Sequence, residues 1–133
     1  MLCKKVLFAV VLASVLAAPL ASASTGVSCL IEARFQSSMN ISAAPQGKHI
    51  VHVVKTVAAY DDTQARNDFN DCATRFKKGV RIQFSSDAIL NKRRGATIWL
   101  NYVYGDDRGG ARWEHYTVID KHIFKERQNG ILR

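Results

Sequence analysis

The chain reads as an α+β domain, with one amphipathic helix packed on a mostly antiparallel sheet of about five strands in the order β-β-α-β-β-β and one disulfide. Three observations carry that expectation. Residues 27–36 alternate strictly, with Val27, Cys29, Ile31, Ala33 and Phe35 on one face and Ser28, Leu30, Glu32, Arg34 and Gln36 on the other, the period of a half-buried strand. Residues 61–78 place Ala65, Phe69, Cys72, Ala73 and Phe76 on one stripe at helical spacing. The inward faces of these two elements carry Cys29 and Cys72, so a bond between them would staple helix to sheet. In the chain-entropy picture, closing a loop of about 43 residues is worth roughly 4 kcal/mol.

The elements follow in order. Lys4 and Lys5 precede an uncharged run from Val6 to Leu16 and a small-residue stretch ending Ala21-Ser22-Ala23. A positive start, a short apolar run and an A-x-A end make a secretory signal, cleaved after Ala23. Pro19 and the serines interrupt the run, and a spanning helix needs about 20 apolar residues. The style of the signal is bacterial, which puts the mature protein in the periplasm or outside the cell. Cleavage at 23 leaves 110 of the 133 residues as a single domain over 24–133, and losing Lys4 and Lys5 lowers the net charge from +8 to +6. Cys3 leaves with the signal, and the remaining pair suits an oxidising compartment.

After the first strand, residues 37–47 read as a loop rich in Ser, Asn, Ala, Pro and Gly. Residues 49–58 form a second strand, apolar on both faces (Ile50, Val51, Val53, Val54, Val57) and so placed inside the sheet. The helix over 61–78 starts at Asp61 or Asp62, ends in Arg75, Lys77 and Lys78, and stops at Gly79. Strands follow over 80–84, 96–104 and 111–119, the last two joined as a hairpin by the turn residues Gly105 to Gly110. The tail from Asp120 to Arg133 fits no period. A β-grasp-like or partly closed barrel topology is compatible with this order. With 47% hydrophobic and 23% charged residues, the composition is that of an ordinary globular domain and excludes disordered and collagen-like chains.

The sequence offers little catalytic chemistry. His49 and His52 are three apart, which on a strand puts them on opposite faces; they, His115 and His122 are expected at solvent-facing or strand-edge positions. The pairs Asp61-Asp62 and Asp106-Asp107 lack the alternating spacing of a calcium loop. No nucleophile elbow, zinc-protease or P-loop pattern occurs. No metal, no cofactor and no catalytic residue are expected. In Arg112-Trp113-Glu114-His115-Tyr116, Glu114 and His115 evoke the acid–base pair of a small basic ribonuclease, but neighbours on a strand point to opposite faces.

Two surface features remain. The hairpin carries aromatic side chains beside polar ones, with Trp99, Trp113, Arg112 and Tyr116 the candidate contacts. Lys92, Arg93 and Arg94 concentrate charge at a turn read as a hairpin tip, and Lys77 and Lys78 do so at the helix end. A basic exported domain favours anionic macromolecules: an acidic protein, an envelope polymer or lipid headgroups, but not cytoplasmic nucleic acid. The leading expectation is a non-enzymatic binding module such as an inhibitor, immunity or envelope-associated factor. A secreted hydrolase such as a basic ribonuclease and a structural accessory of an envelope assembly are the alternatives. No membrane-spanning segment is expected after cleavage.

Overall fold

The computed structural model describes residues 25–42, 48–86, 90–107 and 109–130; the expected signal over 1–23 lies outside them. Five strands, β1 (Thr25–Ser42), β2 (Lys48–Asp61), β3 (Arg81–Ser85), β4 (Thr97–Asp106) and β5 (Arg112–Ile119), form one antiparallel sheet in the order β3-β2-β1-β4-β5. A one-turn helix α1 (Cys72–Arg75) precedes β3, and a longer helix α2 (Lys121–Asn129) closes the described chain. The period-2 pattern of β1 puts Val27, Cys29, Ile31, Ala33 and Phe35 on the inner face, all buried. Residues 37–42, expected as loop, extend β1, because Ser37 to Ser42 pair with β2 down to Lys48. Register shifts between Glu32 and Ala33 and between Phe35 and Ser37 mark bulges, which bend and twist the pair.

The sheet curls until its two edges meet. Phe84 of β3 and Tyr116 of β5 lie 5.9 Å apart by ring centroid, and Phe76 and Tyr102 complete the cluster, with Phe76–Tyr102 and Tyr102–Tyr116 each at 4.9 Å. Tilted and edge-on aromatic pairs at these distances are favourable beyond their burial. The core is thus enclosed by the sheet itself: Val54, Ile82, Ile98 and Leu100 meet the inner residues of β1. Cys29 and Cys72, both fully buried, are disulfide-bonded with Cα atoms 5.5 Å apart.

The helix expected over 61–78, and with it the α+β assignment, is overturned: the fold is mostly β, and only Cys72–Arg75 is helical there. Of the supposed stripe, Cys72 and Phe76 are buried, while Phe69 is half exposed. Residues 62–71 hold Asp62, Asn67, Asp68, Asn70 and Asp71, whose short polar side chains compete with a helix for backbone groups. They win here because β1 extends beyond the end of β2 and leaves main-chain groups to satisfy. The Asp62 and Asp68 amides donate to the Ser28 and Gly26 carbonyls (3.1 and 2.9 Å), Asn67 Nδ2 donates to the Ser28 carbonyl (2.8 Å), and the Gly26 amide donates to Asp68 Oδ2 (2.7 Å). That last bond, foremost, holds the Asp68 carboxyl below the usual range, with help from Arg66.

The tail, unpatterned in sequence, folds as α2 on the outer face. One apolar anchor, Phe124, is fully buried and meets Tyr60 edge-on at 5.9 Å. The second anchor is ionic: Arg127 grips both carboxylate oxygens of the buried Asp62, through Nε at 3.2 Å and through Nη2. Ser28 donates to the same carboxylate (2.8 Å), and Asn101 donates to Ser28 Oγ (3.0 Å). The Thr63 amide donates to the Arg127 carbonyl at 3.2 Å. The element order is therefore β-β-α-β-β-β-α. Among the described residues no helix is long and apolar enough to cross a membrane.

Removing one partner of a buried ion pair strands the other, at a cost of about 3–5 kcal/mol. Arg127→Ala is expected near the lower end, because Ser28 and the Gln64 amide still serve Asp62. Urea unfolding checks the magnitude, and faster amide exchange confined to 121–129 checks that α2 detaches first.

Candidate basic face

The structure divides the expected aromatic surface between the two faces of the hairpin. Tyr116 and Arg112 lie on the inner side of β5, Trp113 and His115 on the outer, as the register Tyr102↔Tyr116 and Gly105↔Trp113 requires. Tyr116 belongs to the ring cluster that joins the two edges of the curled sheet. Arg112 is exposed opposite Asp106. Trp113 lies flat across Gly105: a Cβ there would stand 2.2 Å from the indole, so only glycine admits the ring, which stays 49% exposed. Trp99 is half-buried on the outer face with Lys121 Nζ 5.9 Å from its ring. Lys92 shares a small cleft with Trp99 and Lys121.

Glu114 and His115 point to opposite faces and share no site; Glu114 instead accepts a hydrogen bond from the Tyr102 hydroxyl at 3.2 Å. His52, expected near solvent, is fully buried on the inner face between Phe35 and Phe84, with Ser38 Oγ 2.6 Å from Nδ1. The extra burial follows from the length of β1, which carries Ser38 alongside it. The side chain of His49 lies outside the described residues. Among the described residues no group of three His, Cys, Asp or Glu could hold a metal ion.

Lys92, Arg93 and Arg94 are all exposed, but their turn is not a hairpin tip. It belongs to the link that carries the chain from β3 past β2 and β1 to β4. The link is pinned to β1 by the Gly95 amide on the Phe35 carbonyl (2.7 Å) and by Arg34 Nη1 on the Gly95 carbonyl (3.1 Å).

That attachment exposes the feature the sequence reading misses. Arg34 of β1 is directly opposite Lys55 of β2, and Lys55 is directly opposite Arg81 of β3. All three are exposed and point to the outer face, since their neighbours Phe35, Val54 and Ile82 point inward. Strands stand about 4.8 Å apart, so three cations cross the sheet in a line about 10 Å long. One of the two basic clusters noted in sequence sits at its Arg34 end and the other lies beside it. The 92–94 turn adjoins Arg34, and Lys78 lines a shallow cleft together with Arg34, Lys55, Val57 and Gly79. Among the described residues no carboxylate forms a salt bridge with Arg34, Lys55 or Arg81. The Arg34–Lys55 step lies between two bulges, one at Val57 of β2 and one at Gln36 of β1. No sequence period reveals this row, because it exists only through a register that the bulges shift twice.

Comparison with models of known families, with curated proteins and with solved structures gives no match.

Two outcomes are expected. Like charges directly opposite each other destabilise a sheet, so Lys55→Gln should raise the unfolding free energy by about 0.2–1 kcal/mol. Urea unfolding at low and high salt checks this, with the gain shrinking as salt screens the row. Separately, burial first and the nearby Glu114 second raise the ionisation of both Tyr102 and Tyr116 above the phenol range, Tyr116 the more. The folded state then keeps protons that the unfolded chain loses. Stability is unaffected below the ordinary phenol pKa of about 10 and falls as pH rises above it. Urea unfolding from pH 9 to 11 should show that fall, and Tyr116→Phe should lessen it.

Proposed function

We propose that the protein is a non-enzymatic binding module for an anionic macromolecule and that the outer row Arg34–Lys55–Arg81 is its contact surface. The row is the observation that carries this reading. A sheet selected for stability alone gains nothing from three opposed cations that form no salt bridge among the described residues, whereas a surface that meets an anion gains from each of them. The flanking Lys78 and the 92–94 turn extend the same charge beyond the sheet. An amino-terminal segment with the features of an export signal, and a disulfide suited to an oxidising compartment, support a partner met in the periplasm or outside the cell.

Charge position, rather than net charge, is the testable content. The triple variant Arg34→Gln/Lys55→Gln/Arg81→Gln and the control Arg66→Gln/Arg75→Gln/Lys125→Gln each remove three positive charges. The row variant is expected to leave immobilised heparin, a sulfated polyanion, at clearly lower salt than the control. Equal elution of the two would sink the proposal, because binding would then follow net charge alone.

A further inference from the structure

The shape of the row narrows the chemistry of its partner, an inference that rests on the reading above. We infer that the row seats a linear phosphate polymer lying across the strands, which it grips by the charged backbone.

The basic groups form a line rather than a patch. From the sheet edge inward they run Arg81, Lys55, Arg34 and then the 92–94 turn, with Lys78 standing beside the Arg34–Lys55 step. A chain carrying an anion on every repeat can engage such a line group by group, with each contact releasing counterions from the polymer. A folded acidic protein would need carboxylates set at the same spacing.

Arginine supplies two of the three central positions and the adjoining turn. Its planar guanidinium offers five N–H donors and meets two phosphate oxygens at once. Arg34 spends one donor on the Gly95 carbonyl. That bond tethers one edge of the group to the link and leaves the other donors for a ligand.

Recognition of bases would add aromatic platforms on which they stack. The row has none. Its outer-face neighbours are Val53 along β2, Gln83 along β3 and Glu32 along β1, and the nearest ring, Trp99, stands opposite Glu32 and is half-buried with Lys121 Nζ 5.9 Å from it. The contact is therefore with a backbone.

A membrane surface fits less well. Interfacial binding combines cations with inserted apolar side chains. Of the exposed large apolar groups, Trp113, Val103 and Phe69 gather at the far end of the sheet, around Gly26 and Ser28, while Val80 and Met39 stand singly nearer the row and form no apolar patch with it. Eight residues of β1 separate Gly26 from Arg34, about 25 Å of strand.

The experiment uses the folded disulfide-bonded protein and three probes: long-chain inorganic polyphosphate, heparin, and vesicles containing phosphatidylglycerol. Pyrophosphate serves as a short competitor. Wild type is expected to bind polyphosphate most tightly, with affinity falling steeply as salt rises. Pyrophosphate at equal phosphate concentration should compete weakly. Arg34→Gln/Lys55→Gln/Arg81→Gln should lose at least about tenfold in affinity, and the slope of log affinity against log salt should flatten by about two to three, one step per lost phosphate contact. Near-ultraviolet circular dichroism checks that the variant is folded; Lys55→Gln alone, at an exposed central position, gives a smaller loss of the same sign.

Unchanged polyphosphate binding by the folded triple variant would remove the row as the seat. Pyrophosphate competing as well as the polymer would overturn the linear mode. Binding to heparin or vesicles but not to polyphosphate would overturn the phosphate assignment and leave the wider reading standing. Binding to none of the three would end both.

Discussion

The carboxylate of Asp62 is the point on which three segments converge. It is 2% exposed, follows directly on β2, and accepts hydrogen bonds from Ser28 of β1, from the Gln64 amide in the following turn and from Arg127 of α2. A buried carboxylate is costly unless it is paired and hydrogen-bonded, so once Asp62 is buried beneath α2 these partners have to come to it. This accounts for two features at once. The chain after β2 cannot continue as a helix, because its first residues are tied to β1. The carboxy-terminal segment, with one apolar anchor in Phe124, docks as a helix because its guanidinium completes the site. A single-stripe helix with mostly polar residues would be marginal alone; here the tertiary pairing holds it.

The two faces of the sheet divide the work. The inner face holds the core, the disulfide and the ring cluster that joins β3 to β5, so no separate layer of helix is needed to cover it. Closure of a sheet on itself is one of the few ways to bury a single apolar face. The outer face carries polar business. At one end the Asp62 network and the 62–71 segment cap the extension of β1. At the other end stand Arg34, Lys55 and Arg81. The core neither needs the basic row nor touches it, which leaves the row free to answer to a partner.

What the sequence disclosed was what period and covalent chemistry encode. The alternation from Val27 to Phe35 places β1 and its inward face with Cys29 on it, and the disulfide to Cys72 forms as the cysteine pair implies, although the helix expected to carry Cys72 does not. The β4–β5 hairpin was visible through its turn residues, and Asp107 caps that turn through the Ala111 amide at 2.9 Å. No helix forms over 61–78 because the Asx residues between the members of its apolar stripe bond main-chain groups of β1 instead. α2 was invisible because its second anchor is an arginine, which no hydrophobic period counts. Trp113 looked like a free contact residue, and half of it is committed to covering Gly105. The basic row was the least accessible, since Arg34, Lys55 and Arg81 are distant in sequence and meet only after two bulges have set the register.

Salt sets how strongly that row is felt. At physiological ionic strength the Debye length is about 8 Å. Adjacent cations of the row, one strand spacing or about 4.8 Å apart, lie within it; Arg34 and Arg81, two spacings apart, lie beyond it. Repulsion in the row is thus borne chiefly by Lys55, which has a like charge on both sides, and little passes between the outer members. The same geometry decides what relieves it. A single anion placed over Lys55 would lie within the screening length of all three cations and compensate both repulsive pairs. An anion beside Arg34 or Arg81 would compensate one. The surface is therefore strongest at its centre, where the chain carries a flexible ammonium between two guanidinium groups. In the contact we propose, the ammonium would follow a moving charge while the flanking planes held the repeats on either side, so a polymer would be gripped without its register being fixed.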